Sequence, residues 1–126
     1  MSDLKFNPDI YSIFVETRLK SRVTAIANLV VDTGASYVVL PWRLVTSIGI
    51  GIDPKKTLQI TTATTVETVP KVTIPEMTVL GKSVKNIEAV IKDLPPQSPA
   101  DGLLGLSFLR NFKLTIDFKK GLLSLD

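Results

Sequence analysis

Hydrophobic and polar positions along the chain follow mostly the two-residue period of strands. In "SIFVETRL", residues 12–19, Ile13, Val15 and Thr17 alternate with Phe14, Glu16 and Arg18, as a half-exposed strand requires. "VTAIANLVV", residues 23–31, is β-branched and apolar and reads as a more deeply buried strand ending at Asp32. "YVVLP" is a further short strand, stopped by Pro41, which cannot donate to a ladder. "PWRLVTSIG" suits one or two helical turns closed by Gly49. Residues 57–62 and 66–74 read as a hairpin, 76–80 as a strand, and 84–91 as another after a turn at Gly81. "PPQSPAD" is an exposed irregular loop. "GLLGLSFLRNF" has the apolar spacing of a short amphipathic helix, and "LTIDFKKGLLSL" closes the chain as a hairpin turning at Gly121. The pattern predicts an all-β, barrel-like single domain over residues 1–126, with one short helix near the C-terminus and residues 1–10 as a flexible arm.

Composition narrows the function more than the fold. The chain has 126 residues, 44% of them hydrophobic and 21% charged, which is the balance of a globular domain. A net charge of +3 is small, the basic residues are scattered, and no basic–aromatic alternation offers a surface for bases, so nucleic acid is not an expected partner. There is no cysteine and no histidine, which excludes thiol nucleophiles, thiolate metal sites, Ser-His pairs and imidazole bases. No D-x-D-x-D-G loop offers a calcium site, and no metal or cofactor is expected. The N-terminal stretch lacks the long apolar core of a signal peptide, and no run approaches the ~20 residues of a membrane span. The expected setting is cytoplasmic, away from membranes. Carboxylates are left as the leading candidates for chemistry.

One carboxylate is unusual. In "VVDTGASYVVLP", Asp32 lies between two apolar runs, where it loses hydration and needs donors or a function to remain. Gly34 permits a tight loop, and Asp32 and Thr33 can each bond backbone amides within it. On these grounds alone, an ordinary Asx-type turn between strands is the favoured reading over an active site.

The flanks add a resemblance. Val30-Val31-Asp32-Thr33-Gly34-Ala35-Ser36 resembles the active-site loop of retropepsin-like aspartic proteases, and "DGLLGLSFLRNF" is similar to that family's second element, two apolar residues and a glycine before a helix. "ITTATTVETV" stands where the family has its flap hairpin, and the terminal hairpin is similar to that of cellular and prokaryotic members. The likeness runs from about residue 11 to the end. It implies the closed barrel of the acid protease fold and an aspartic endopeptidase in which Asp32 is catalytic.

Such chemistry needs two carboxylates about a water, one acting as base and one as acid. This chain has one Asp-Thr-Gly loop and is too short for two lobes, so a homodimer would supply the second Asp32 at its two-fold axis. The resemblance further implies that Thr33 bonds across the dimer and that Gly34 opens its carbonyl to a protein or peptide substrate. Ala35 and Ser36 would line the cleft, and Val30, Val39 and Leu103 would shape apolar subsites or simply pack. The flap tip, Thr62-Ala63-Thr64-Thr65, lacks the family's usual glycine, and a β-branched Thr65 should stiffen it or move the turn. Of the other acids, Asp101 would cap the helix or support the loop before it, Asp117 would be a solvated strand position, Asp53 a turn residue, and Glu67 and Glu88 exposed strand faces. The competing functions are a non-catalytic dimeric peptide-binding module and a half-protease that works only with a different subunit.

Overall fold

The computed structural model describes residues 2–126. Asp3–Lys5, expected to belong to a flexible arm, form strand β1. β2 (Phe14–Lys20) buries Val15, Thr17 and Leu19 and turns Glu16, Arg18 and Lys20 outward, the alternation read from the sequence. It pairs antiparallel along its whole length with β3 (Thr24–Val31). β3 is less buried than its composition suggests: Ala27 and Leu29 face the core, but Ile26 and Asn28 are exposed. An antiparallel sheet can keep one face in water whatever the apolar content of the strand.

β4 (Val38–Leu40) is buried at all three positions. After Pro41, α1 (Trp42–Ser47) buries Leu44 and Val45 and ends near Gly49, whose φ of +82° a side chain would strain. The Trp42 N–H has no acceptor from its own turn and donates instead to Asp93 Oδ1 at 3.0 Å.

The next two strands depart from the expected pattern. β5 (Thr57–Thr61) pairs with β6, but β6 runs unbroken from Val66 to Val79 instead of ending at residue 74. Pro70 and Pro75 are tolerated because each stands at a break in a ladder; at Pro75 the pairing with β7 skips one residue, from Ile74–Ile87 to Glu76–Lys85. Pro70 lies at the handover from β5 to β7, and Pro75 immediately precedes the residues that pair with β2. A missing N–H costs little where no ladder bond is due.

β7 (Lys82–Ile91) follows a turn at Leu80 and Gly81, both at positive φ. β8 (Gly102–Leu104) takes the first part of the segment expected to be helical, leaving α2 only Leu106–Leu109. β9 (Leu114–Asp117) and β10 (Leu122–Leu125) form the closing hairpin through Gly121, with φ +65°. Asp117 is not a merely solvated strand position, because its Oδ1 accepts the Lys119 and Lys120 N–H groups at 3.0 and 2.9 Å and holds this turn.

The strand order β2-β3-β8-β4-β7-β6, closed by β6–β2 pairing, is a six-stranded barrel, with β5 attached outside the ring as the free arm of a hairpin. A smaller sheet, β1-β10-β9, ties the two chain ends together. Leu29, Leu40, Ile74, Ile91, Leu104 and Phe108 fill the interior and are almost wholly excluded from solvent. Burying each contributes ~1.5–3 kcal/mol against the entropy of ordering the chain. Among the described residues, the one buried side-chain polar atom without a partner is the Thr17 hydroxyl. No described helix is long and apolar enough to cross a membrane.

Candidate active site

β3 and β4 are neighbours in sequence but not in the sheet, because β8 runs between them. It pairs parallel with β3 (Leu29–Gly102, Val30–Leu103, Val31–Leu104) and antiparallel with β4 at Val39–Leu103. The loop 32–37 must therefore cross over the end of β8. Its backbone is fixed on both sides of that crossing.

The Asp32 N–H donates to the Leu104 carbonyl at 3.1 Å, and Asp32 Oδ1 accepts the Gly34 N–H at 2.9 Å. Further along, the Leu106 and Ser107 N–H groups donate to the carbonyls of Ala35 and Ser36 at 2.8 and 3.0 Å. The Ser107 hydroxyl donates to the Glu88 carbonyl at 2.7 Å and accepts the Val38 N–H at 2.9 Å, joining α2, β4 and β7. Two glycines make the crossing possible. A Cβ on Gly102 would lie 2.0 Å from the Val39 carbonyl oxygen, and one on Gly105 would lie 2.2 Å from that of Tyr37.

Asp101 serves the same lattice without capping the helix. Its N–H donates to the Asn28 carbonyl, its Oδ2 accepts the Asn28 N–H, both at 2.8 Å, and its Oδ1 binds Arg43 at 3.0 Å. It fastens the entry to β8 against β3. Asp53 holds an Asx turn through the Lys55 N–H at 2.9 Å, as its place before Pro54 suggested.

The half-buried Asp32 carboxylate faces a cleft of about 650 Å³. Gly34, Ala35 and Ser36 line it beside Asp32, and Thr62 reaches it from the hairpin tip. Its apolar wall is a cross-strand row: Leu103 on β8 pairs with Val39 on β4, which pairs with Val90 on β7. Directly paired residues present their side chains to the same face of a sheet. Val39 and Val90, with Val69 of the hairpin, form a small hydrophobic cluster separate from the barrel interior. Val30 continues the row on β3 but does not line the cleft, nor do Thr33, Ala63, Thr64 and Thr65. Thr33 is exposed at the loop's outer side.

Tyr37, Val90, Lys92, Leu94 and Pro95 also line the cleft and were missed in the sequence. Val90 could have been found by extending the Val39 register to β7. The other four lie just outside strands, where periodicity gives no signal. Glu67 is not simply on an exposed face, since its carboxylate binds the Lys92 ammonium. Glu88 is exposed and pairs with Lys71 at 2.7 Å.

The hairpin tip stays at residues 62–65 without a glycine or a positive φ. The Thr62 N–H donates to the Thr65 carbonyl at 2.8 Å, and the Thr62 hydroxyl oxygen accepts the Thr65 N–H at 3.1 Å. The side chain replaces what glycine does elsewhere by conformation. Among the described residues, no three His, Cys, Asp or Glu side chains gather where they could hold a metal ion.

A single carboxylate at a strand end, a crossing loop fixed by β8, and a hairpin arm over an apolar cleft match an established family. The aspartyl protease family model matches residues 18–108, which includes every one of these features. The chain belongs to the aspartyl protease family. Its structure is similar to that of a retropepsin-like aspartic protease from Rickettsia conorii, with a TM-score of 0.69 and 27% identity over 98% of this chain and 87% of that one. A search of curated proteins gave no match. The family's barrel is the one expected from the Asp-Thr-Gly and Leu-Leu-Gly elements.

Proposed function

We propose that this aspartyl protease family member is an endopeptidase that acts as a homodimer, with Asp32 of each subunit contributing one of two carboxylates about a shared water. One carboxylate takes a proton from the water as it attacks the scissile carbonyl carbon. The other protonates the carbonyl oxygen, and the tetrahedral intermediate then collapses with proton delivery to the departing amine.

The observation that carries the reading is the single Asp-Thr-Gly loop, held rigid from below while its carboxylate opens on an apolar cleft sized for extended peptide side chains. Its solitude argues for the dimer, since one carboxylate cannot be both acid and base at the same moment. Thr33 would bond with its counterpart across the two-fold axis and exposed Leu106 would add apolar surface there; the exposure of both supports this reading. The Gly34 backbone and the tip amides of residues 62–65 would hold the substrate main chain. Ala35, Ser36, Val39 and Leu103 would receive its side chains. Val30, on the same row, contributes by packing behind Leu103.

Asp32→Asn tests this reading. It keeps the size of the side chain and an oxygen for the Gly34 N–H, so fold and dimer should survive while cleavage of a mixed peptide library falls by at least ~10²–10⁴. Sedimentation of the same sample reports assembly. Cleavage retained by the variant would remove the proposal. A dimer that binds peptides but cleaves none in its native form would instead identify a binding module on the protease fold.

A further inference from the structure

The cleft holds one feature that general aspartic proteolysis does not use. Of the described residues lining it, only Asp32 and Lys92 carry charge. Lys92 follows the last residue of β7, and its N–H donates to the Leu40 carbonyl at 2.9 Å, so its backbone is fixed beside the Val39–Val90 wall. Its ammonium binds the Glu67 carboxylate, which belongs to β6 just below the hairpin tip. Glu67 does not line the cleft. Lys92 therefore belongs to the cleft lining, whereas its counter-ion does not.

An ammonium has three donors, and one carboxylate oxygen leaves others free. The Lys92 side chain is 29% exposed, so it is partly stripped of water against an apolar wall, where a second acceptor is worth more than in bulk solvent. Resting on the peptidase reading of this cleft, we infer that Lys92 is a specificity-determining residue that selects peptides with a carboxylate side chain at the one position facing it. Glu67 holds the ammonium in place. A basic side chain at that position meets a like charge and is rejected. The pair also joins the hairpin arm to the barrel, so an acidic peptide enters a site that is already assembled.

The test is a positional library of decapeptides in which Glu, Gln or Lys is scanned through each place. It is read in two ways: cleavage by the wild-type protein, and equilibrium retention on Asp32→Asn, which needs no turnover. Glu should exceed Lys about tenfold at one position, the scale of a charge-assisted bond discounted for partial exposure. Lys92→Met should bring that ratio near one, Lys92→Glu should invert it, and Glu67→Gln should widen it by freeing the ammonium. A charge preference that persists in Lys92→Met, or wild-type cleavage and retention indifferent to charge at every position, overturns the inference. Failure to retain any peptide overturns it as well. Selective retention with no cleavage supports the inference and refutes the peptidase reading, whereas cleavage without charge preference does the reverse.

Discussion

The loop 32–37 and the turn 62–65 each bring residues to the cleft, yet they are built in opposite ways. The first is backbone against backbone: Leu104, Ala35 and Ser36 carbonyls each take an N–H from across the crossing, and two glycines let the strands meet within contact distance. The second is an exposed connection at the end of an arm whose β5 strand has a neighbour on one side only. It is tied by one backbone hydrogen bond, Thr62 N–H to the Thr65 carbonyl, and by the Thr62 hydroxyl. Positioned chemistry requires a carboxylate that does not move, while a cover for substrate must open and close. On the proposed function, the loop would serve the first task and the turn the second.

The sharpest way to break the contrast is to disturb the rigid side. Gly105→Ala places a methyl group 2.2 Å from the Tyr37 oxygen and 2.7 Å from that of Ala35, both backbone atoms that cannot swing aside. It should cost ~3 kcal/mol or more, read as a fall in the denaturation midpoint, and should displace the Asp32 loop enough to abolish cleavage. A change of under ~1 kcal/mol would show the crossing to be far looser than its geometry implies.

This rigid side was the part most legible in the sequence. Asp32 and Gly34 carry local signals, an acid between apolar runs and a glycine two residues on, because the constraint there is on the residues themselves. The strand at 102–104 was harder, since Gly102, Leu103 and Leu104 are made a strand by β3 and β4, which lie far away in sequence. The same spacing of apolar residues suits a helix, and only the partners decide. β6 was split at Pro75 because a proline is a break in any local reading, whereas here it occupies a one-residue gap in the β6–β7 ladder. Lys92 and Glu67 are 25 residues apart, and neither has a neighbour in sequence that marks it. Pairings of that kind are set by the closure of the barrel, not by any window of residues.

The turn 62–65 should respond to a milder change. Thr62→Ala removes the hydroxyl that accepts the Thr64 and Thr65 N–H groups, at 3.4 and 3.1 Å, but leaves the Thr62 N–H bonded to the Thr65 carbonyl. Global stability should fall by only ~0.5–1 kcal/mol, because the lost bonds are replaced by water. Amide exchange at residues 63–65 should quicken, and turnover should change while the dimer dissociation constant does not. Unaltered exchange at these amides would mean that the hydroxyl does not hold the tip.

The smallest expected effect lies at the root of the arm, where Lys71 on β6 meets Glu88 on β7 and the hairpin joins the barrel. The hydrogen bond that Lys71 donates to Glu88 is the main influence on it and raises its pKa above the ordinary 10.5, with desolvation opposing and the carboxylate's charge acting in the same direction. A raised pKa means that the folded state holds this proton more tightly than the unfolded chain does. The pair's stabilisation is accordingly complete below about pH 10.5 and fades as pH rises through the raised value. Because the pair is solvent-accessible, salt screens it and the effect is small. Glu88→Gln keeps the length of the side chain and removes its charge. The difference in denaturation midpoint between wild type and variant should be constant from neutral pH to about pH 10 and shrink above that. A difference that does not narrow under alkaline conditions would show that the Lys71 proton has no part in fastening the arm to the barrel.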